Sequence, residues 1–506
     1  MILQRIFMYK YWVMLKTLFI SIAIISIVGC SESTKDKEEK KSAALPYKNQ
    51  SIMLIVPTLH ADLIRGPIIE QAKIFEKQTG AKIRIVTPSW DETINKTKES
   101  LRDKNLHYDI FVVISMWSGT LLENQSVEPL PDWVKAKIEW SDVLPIYKNS
   151  VLSFNNTAYG MPYDGDCINL YYRKDIFENL EIKAKYKKQT GKELDVPKTW
   201  QEYKQVAKFF SNWDWDGDGK VEYGNALLRK KGDVAMLQFF ATAAAYAKHP
   251  DDRAYFFDID TMKPRIDNPA FIKALQDYIE LVEYAPKGVI NFAGHDVRNS
   301  FVTGEVAMAL DWADLGIYAA ENEISILKDN QVGYAQIPGS EQVYSAKSKK
   351  WEERFNRASS ISGSWSFFVN KDSKNKKLAF EFASFMTSKA MTTKYVAISG
   401  NAVNPSRYSH FKDYSSWEKS GFTPNAAKRY LDAISKSLTH SNMVYDITLP
   451  GAGEYYQALD EFVYKALKGE LTPQEALVEV AQKWDRITDK IGRQKQIEYY
   501  KASLNQ

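Results

Sequence analysis

The chain has 506 residues, with 67 Lys and Arg against 63 Asp and Glu and a formal net charge of +4. The two signs are interspersed, so the basic block or stripe that a nucleic-acid partner needs is absent and that class of function is set aside. Only two cysteines occur, Cys30 and Cys167, so stability is expected from a large apolar core and not from a disulfide framework.

Residues 1–17 carry Arg5, Lys10 and Lys16 without an acidic side chain, and an apolar run from Leu18 to Val28 ends at Gly29-Cys30. A basic start, a short apolar stretch and a small residue before the cut predict a secretory signal peptide over 1–29. The alternative is a transmembrane anchor, but Lys16 leaves a run shorter than the ~20 residues needed to span. Ile27-Val28-Gly29-Cys30 resembles the lipobox of bacterial lipoproteins, although Val28 is bulkier than the usual small residue and Ile27 stands in for leucine. That resemblance implies lipidation of Cys30, which becomes the first residue of the mature chain. The implied location is the periplasm or cell surface, held to the membrane by lipid. Residues 31–41 contain no aliphatic or aromatic side chain, so they cannot bury enough apolar surface to order themselves. The stretch 30–48 is therefore read as a solvated tether.

The folded body opens with Ile52-Met53-Leu54-Ile55-Val56, a continuous apolar run suited to a strand buried on both faces. A helix is expected next, with Ile68, Ala72 and Phe75 on one face and Gly80 at its C-terminal cap. The run 81–86 alternates as a strand, 90–101 is helical, and 108–113 is a strand again. Strand and helix alternating in this way predict an open, doubly wound α/β sheet. Ligands of such sheets bind beyond the carboxyl ends of the strands, which directs attention to the loops 58–62, 87–91 and 114–119.

The sharpest local motif is Asp214-Trp215-Asp216-Gly217-Asp218-Gly219-Lys220-Val221-Glu222. Carboxylates at loop positions one, three and five, glycine at six and the Lys220 carbonyl at seven match an EF-hand-type calcium loop. Glu222 lies at position nine, while position twelve is Asn225 in place of the usual bidentate glutamate. The expected cofactor is one structural Ca2+ held by Asp214, Asp216, Asp218, the Lys220 carbonyl and Glu222; the alternative is an Asp/Gly-rich surface turn. Farther on, Asn268-Pro269 caps a helix with the stripe Phe271, Leu275, Tyr278, Ile279 and Val282. Thr472-Pro473-Gln474-Glu475 is a capping box ahead of Leu477, Ala481, Trp484 and Ile487. These stripes are core.

Three segments then carry a family resemblance. They are Tyr159-Gly160-Met161-Pro162-Tyr163-Asp164-Gly165-Asp166 with 170–177, Phe301-Val302-Thr303-Gly304-Glu305-Val306-Ala307-Met308-Ala309-Leu310-Asp311-Trp312, and Gly363-Ser364-Trp365-Ser366-Phe367-Phe368-Val369-Asn370-Lys371. In this order they resemble the extracellular solute-binding proteins of the maltose and multiple-sugar ABC importers, over residue 50 to the C-terminus. The resemblance implies a two-lobed, type II periplasmic-binding-protein-like α/β fold, each lobe an open sheet, joined by crossing hinge strands. It implies one lobe from 49–160 and 292–360, and another from 161–291 and 361–506. It also implies a monomer that closes on a carbohydrate or polyol and delivers it to the transmembrane subunits of an ABC permease.

Sugars show flat C–H faces ringed by hydroxyls, so rings and carboxylate or amide edges suit them. Trp117, Trp312 and Trp365 are the aromatic candidates, and Asp164 and Asp166, two apart in an extended segment, the acidic ones. Asn404 and Arg407 resemble a family loop that borders the ligand. For each tryptophan the alternative is core packing, and for the two aspartates a hinge role. A glycosidase pair is disfavoured because Asp164 and Asp166 would meet a sugar from one side, and no catalytic motif accompanies them. A receptor for a non-sugar solute remains the other possibility, since one fold hosts many ligands.

Overall fold

The computed structural model describes residues 45–504 except 59–63, 104–106, 123–125, 321–324, 399–400 and 402. The signal peptide, Cys30, the tether up to residue 44 and most of the loop 58–62 lie outside the described residues.

Two sheets organise the body. Their strands are β1 (Ser51–Ile55), β2 (Lys82–Val86), β3 (Ile110–Ile114), β4 (Met161–Pro162), β5 (Asn169–Arg173), β6 (Tyr223–Ala226), β7 (Val306–Asp311), β8 (Val332–Gln336) and β9 (Trp365–Val369). The first sheet runs β2-β1-β3-β9-β4 and the second β8-β5-β7-β6. β3, β7 and β9 are buried at every position. They lie inside their sheets, where both faces are covered and continuous apolar runs are required.

The helices of the first lobe form for reasons visible in their ends. Arg65–Thr79 buries Ile68, Ala72 and Phe75 and stops at Gly80, whose φ of 77° closes the last turn onto the Glu76 carbonyl. Trp90–Arg102 starts with a capping box in which Glu92 reaches back to the Ser89 N–H at 3.1 Å. Lys376–Met386 packs on the same lobe, with Phe382 against Phe75 at 5.2 Å. The second lobe carries Ala235–Ala247, whose Gln238 donates to the Leu310 carbonyl at 2.9 Å. Pro269–Glu280 is capped by Asn268 as expected. Pro473–Ile491 brings Trp484 onto Phe257 at 5.1 Å. Among the described residues no helix is long and apolar enough to cross a membrane.

The division between the sheets differs from the expected one. β7 and β8, at 306–336, pair with β5 in the second sheet, whereas β9 at 365–369 pairs with β3 and β4 in the first. Residues 292–360 thus do not return to the first sheet as a block, and 361–506 is not wholly of the second. The reason is that the division was implied by resemblance along the chain, whereas strand pairing is set by tertiary contacts that segment order does not name. The chain crosses between sheets at 163–168, between β4 and β5, and again before β9. The crossings are braided: Ile168 N–H donates to the Ser360 carbonyl at 3.0 Å, Asp164 N–H to Trp365 at 3.1 Å, and Gly165 N–H to Asn404 at 3.2 Å.

Candidate functional site

The carboxyl ends of the strands meet along one seam. Trp90 opens the helix after β2, and Trp117 sits in the helix Ser115–Leu122 directly after β3. Their rings lie 4.3 Å apart, and Trp365 approaches Trp90 edge-on at 6.2 Å. A cavity of about 560 Å³ opens over them, with Trp90, Met116 and Trp117 on the first lobe facing Met236, Tyr456 and Asp460 on the second. That volume is in the range of small-molecule sites, and the tryptophan floor is rimmed by polar and charged side chains, among them Lys98, Lys231, Asp233 and Glu454.

Behind the tryptophans lies a buried polar group at the hinge. Asp164 is 2 % exposed, and its Oδ1 accepts the Asn404 N–H at 2.6 Å. Asp166 Oδ1 accepts from the Asn404 amide at 2.6 Å, and the Asp166 N–H donates to the Ser364 hydroxyl at 3.2 Å. Burial, then the negative charge of Asp314, holds the Asp164 carboxyl well above the usual range. Asp166 is raised by burial and by Asp164 and Asp314. Arg298 neutralises the next pair, donating to Asp311 at 2.6 Å and to Asp314 at 3.1 Å. Among the described residues, Asp164 Oδ2 and Asn404 Oδ1 find no donor. Trp312 is fixed by its indole N–H to the Ser362 carbonyl at 2.8 Å, and a side chain at Gly363 would meet that nitrogen at 2.9 Å.

Asp446 ties the seam from the other side. It accepts from the Ser115 hydroxyl, from the Gly363 N–H at 3.0 Å and from the Tyr456 hydroxyl at 3.4 Å. Burial pushes its carboxyl up to about 6.

Trp117 and Trp365 therefore join one aromatic cluster, of which Trp117 faces the cavity. Asp164, Asp166, Trp312 and Asn404 form the hinge group beside it. Arg407 does not take part. It is fully buried in the first lobe, donating to the Ile138 carbonyl at 2.9 Å, to the Thr387 carbonyl at 2.5 Å and to the Thr392 hydroxyl at 3.1 Å. All three nitrogens are engaged by protein, and burial lowers its pKa to about 10. Trp90 lay within the strand-end loop 87–91 but was not singled out, because one tryptophan among 13 carries no label. Tyr456, Asp460 and Asp446 had no sequence signal beyond a helix face and a lone acid.

The acidic loop folds separately. Asp214, Asp216, Asp218 and Glu222 each place one carboxylate oxygen within 4.8 Å of all the others.

Two lobes, a braided hinge and a cavity between strand ends define a solute-binding protein. The model of the bacterial extracellular solute-binding proteins matches residues 70–424, and the chain belongs to that family. The mannitol-binding protein of Pseudomonas aeruginosa is 25 % identical over 253 residues, 49 % of this chain and 49 % of that protein. A probable amino-acid ABC transporter periplasmic-binding protein of Sinorhizobium fredii is 23 % identical over 411 residues, 79 % of this chain and 82 % of that one. The chain spans about half the length of the first curated relatives it matches. In structure, an ABC transporter solute-binding protein of Agrobacterium radiobacter in complex with ribitol has a TM-score of 0.68 at 21 % identity, covering 87 % of this chain and 100 % of that one. The fold is thus the two-lobed α/β fold expected.

Proposed function

We propose that the protein captures a polyol or sugar between its lobes, unaltered, and delivers it to the transmembrane subunits of an ABC importer. The observation that carries this reading is the cavity of about 560 Å³ floored by the Trp90–Trp117 pair. Ring faces match the C–H faces of a hydroxylated chain or pyranose, and the Asp460 carboxylate and Gln457 amide on the facing wall offer partners to its edge. The ribitol complex and the mannitol-binding relative support the solute class. A ligand touching both lobes binds the closed state better than the open one, and that difference is what drives closure. Asp164 and Asp166 are tied to Asn404 in the hinge and serve there as a structural pair, not as acid and nucleophile. Lipidation of Cys30 keeps the protein at the membrane beside its permease.

The test is a thermal-shift panel of polyols, sugars and amino acids on the purified chain. A solute at 100 times its dissociation constant adds ~2.7 kcal/mol of stability. A polyol or sugar is expected to give the largest rise, and Trp117→Ala to remove it. A rise with an amino acid alone would reassign the solute.

A further inference from the structure

We propose that residues 214–222 form a calcium site that fastens the start of β6 in the second lobe, independently of the solute cleft. Hydrogen bonds inside the loop do not decide the matter, since a metal-free turn makes them too. Glu222 does. It returns to the loop from the residue before β6, is 3 % exposed, and accepts the Trp215 N–H on Oε2 at 2.9 Å. Among the described residues its Oε1 is buried with no hydrogen-bond partner outside the acidic cluster, whose other three members are also acceptors. A bare buried acceptor among acceptors is costly. A cation at the centre would satisfy all four at once.

Charge points the same way. Two cations touch the group. Lys220 Nζ lies 2.6 Å from Asp218 Oδ2 with its side chain 78 % exposed, and Arg173 NH1 lies 3.5 Å from Asp216 Oδ2. Arg173 is itself held bidentately by Asp175 at 2.8 and 2.9 Å, so the four carboxylates keep an excess of negative charge that a divalent ion would neutralise. The donors are all hard oxygens. Four carboxylates and the Lys220 carbonyl make five, and water completes the six to eight that calcium takes. Magnesium demands a tighter octahedron and keeps several waters, and zinc prefers nitrogen and sulfur. Gly217 and Gly219, with φ of 82° and 86°, make the turn that brings the carboxylates inward. Asn225, at the twelfth position, is not the closing ligand. It sits on β6 and donates to the Leu281 and Tyr284 carbonyls, each at 3.0 Å. Glu222 closes the loop three residues earlier.

The ion would join the loop to the sheet. Asn212 N–H donates to the Glu222 carbonyl at 2.9 Å, and Tyr223 N–H to Glu305 at 2.9 Å at the first rung of the β6–β7 ladder. Trp312 stands at the other end of β7, ~20 Å away at the rise of an extended strand. Calcium therefore acts on stability and leaves solute affinity nearly unchanged.

The full chain, stripped with a chelator, is titrated with CaCl2 by calorimetry and with Tb3+ by luminescence sensitised through Trp215. One site per chain is expected. At 100 times the dissociation constant calcium should shift the folding equilibrium about 100-fold, read as a rise in Tm that chelator reverses. Glu222→Gln should weaken calcium binding by about 100-fold, since charge count sets affinity. Asp218→Asn, at a more exposed position, should weaken it with the fold intact by circular dichroism, and it decides the matter if Glu222→Gln does not fold. The proposal is overturned if stripped wild-type chain takes up neither ion, if magnesium competes equally, or if the folded variants bind calcium as wild type does. No solute enters these readouts, so their outcome is separate from that of the polyol panel.

Discussion

Gly119 packs directly against backbone that leads into the second lobe. It lies in the helix Ser115–Leu122 of the first lobe, and a Cβ added there would stand 2.2 Å from the Thr448 carbonyl oxygen and 2.7 Å from the Leu449 carbonyl carbon. Residues 448–449 lead into the helix Ala452–Leu467, which supplies Tyr456 and Asp460 to the cavity. The clash is with backbone, so no rotamer relieves it. Contacts of this kind settle at ~3.5–4.0 Å, which means the lobes must part by about 1 Å or more. Overpacking of this size costs ~1–3 kcal/mol. With closure on solute drawing these segments together, the cost should fall on capture, and Gly119→Ala should weaken solute binding by about 5- to 150-fold. Alanine favours the helix itself by up to ~1 kcal/mol relative to glycine, so the unliganded chain should remain folded. Titration calorimetry against the best polyol, with Tm measured in parallel, reads both effects. Wild-type affinity in Gly119→Ala would show that this approach is not needed for capture.

Removing one ring should be milder than blocking closure: Trp90→Ala takes one ring from the cavity floor, and a several-fold loss of solute affinity is expected by calorimetry, with a separate fall in stability of ~0.5–1.5 kcal/mol from the lost ring pair. Asp446 supplies a pH test. Its folded-state carboxyl is raised to about 6 against ~3.9 unfolded, so the folded chain holds the extra proton and stability falls as pH rises between those values. The loss is about 3 kcal/mol, and Asp446→Asn, which keeps an acceptor for Ser115 and Gly363, should flatten that slope in urea unfolding across the interval. Arg407→Met should strip three protein acceptors and destabilise the first lobe by ~3–5 kcal/mol, with the affinity of the surviving folded chain unchanged. A fall in affinity without a fall in Tm would return Arg407 to the ligand. Cys30→Ala should lose labelling by a fatty-acid analogue in cells; equal labelling of both chains would remove the lipid anchor.

What the sequence made legible follows from how local each signal is. Caps at Asn268 and Thr472 and the stripe Ile68, Ala72 and Phe75 depend on residues a few positions apart, and all appear in the structure. The loop from Asp214 to Glu222 was equally legible, since its spacing alone brings the carboxylates together. Strand pairing was not. β7 and β9 are both fully buried apolar runs, and only tertiary contacts assign one to each sheet. The site suffered from the same limit. The strand-end rule located the loops holding Trp90 and Trp117, but the opposing wall of Met236, Tyr456 and Asp460 comes from helices whose sequence carries nothing to set these positions apart from ordinary core or surface. Arg407 misled because its partners, Ile138, Thr387 and Thr392, lie up to 269 residues away.

The most direct test of solute capture is calorimetric titration of the wild-type chain with the polyol or sugar that stabilises it most, followed by unfolding and mass analysis of the released solute. One site per chain, a dependence on Trp117 and recovery of the solute with its mass unchanged are expected. Binding that ignores Trp117, the absence of any polyol or sugar that binds, or a solute recovered in altered form would contradict it.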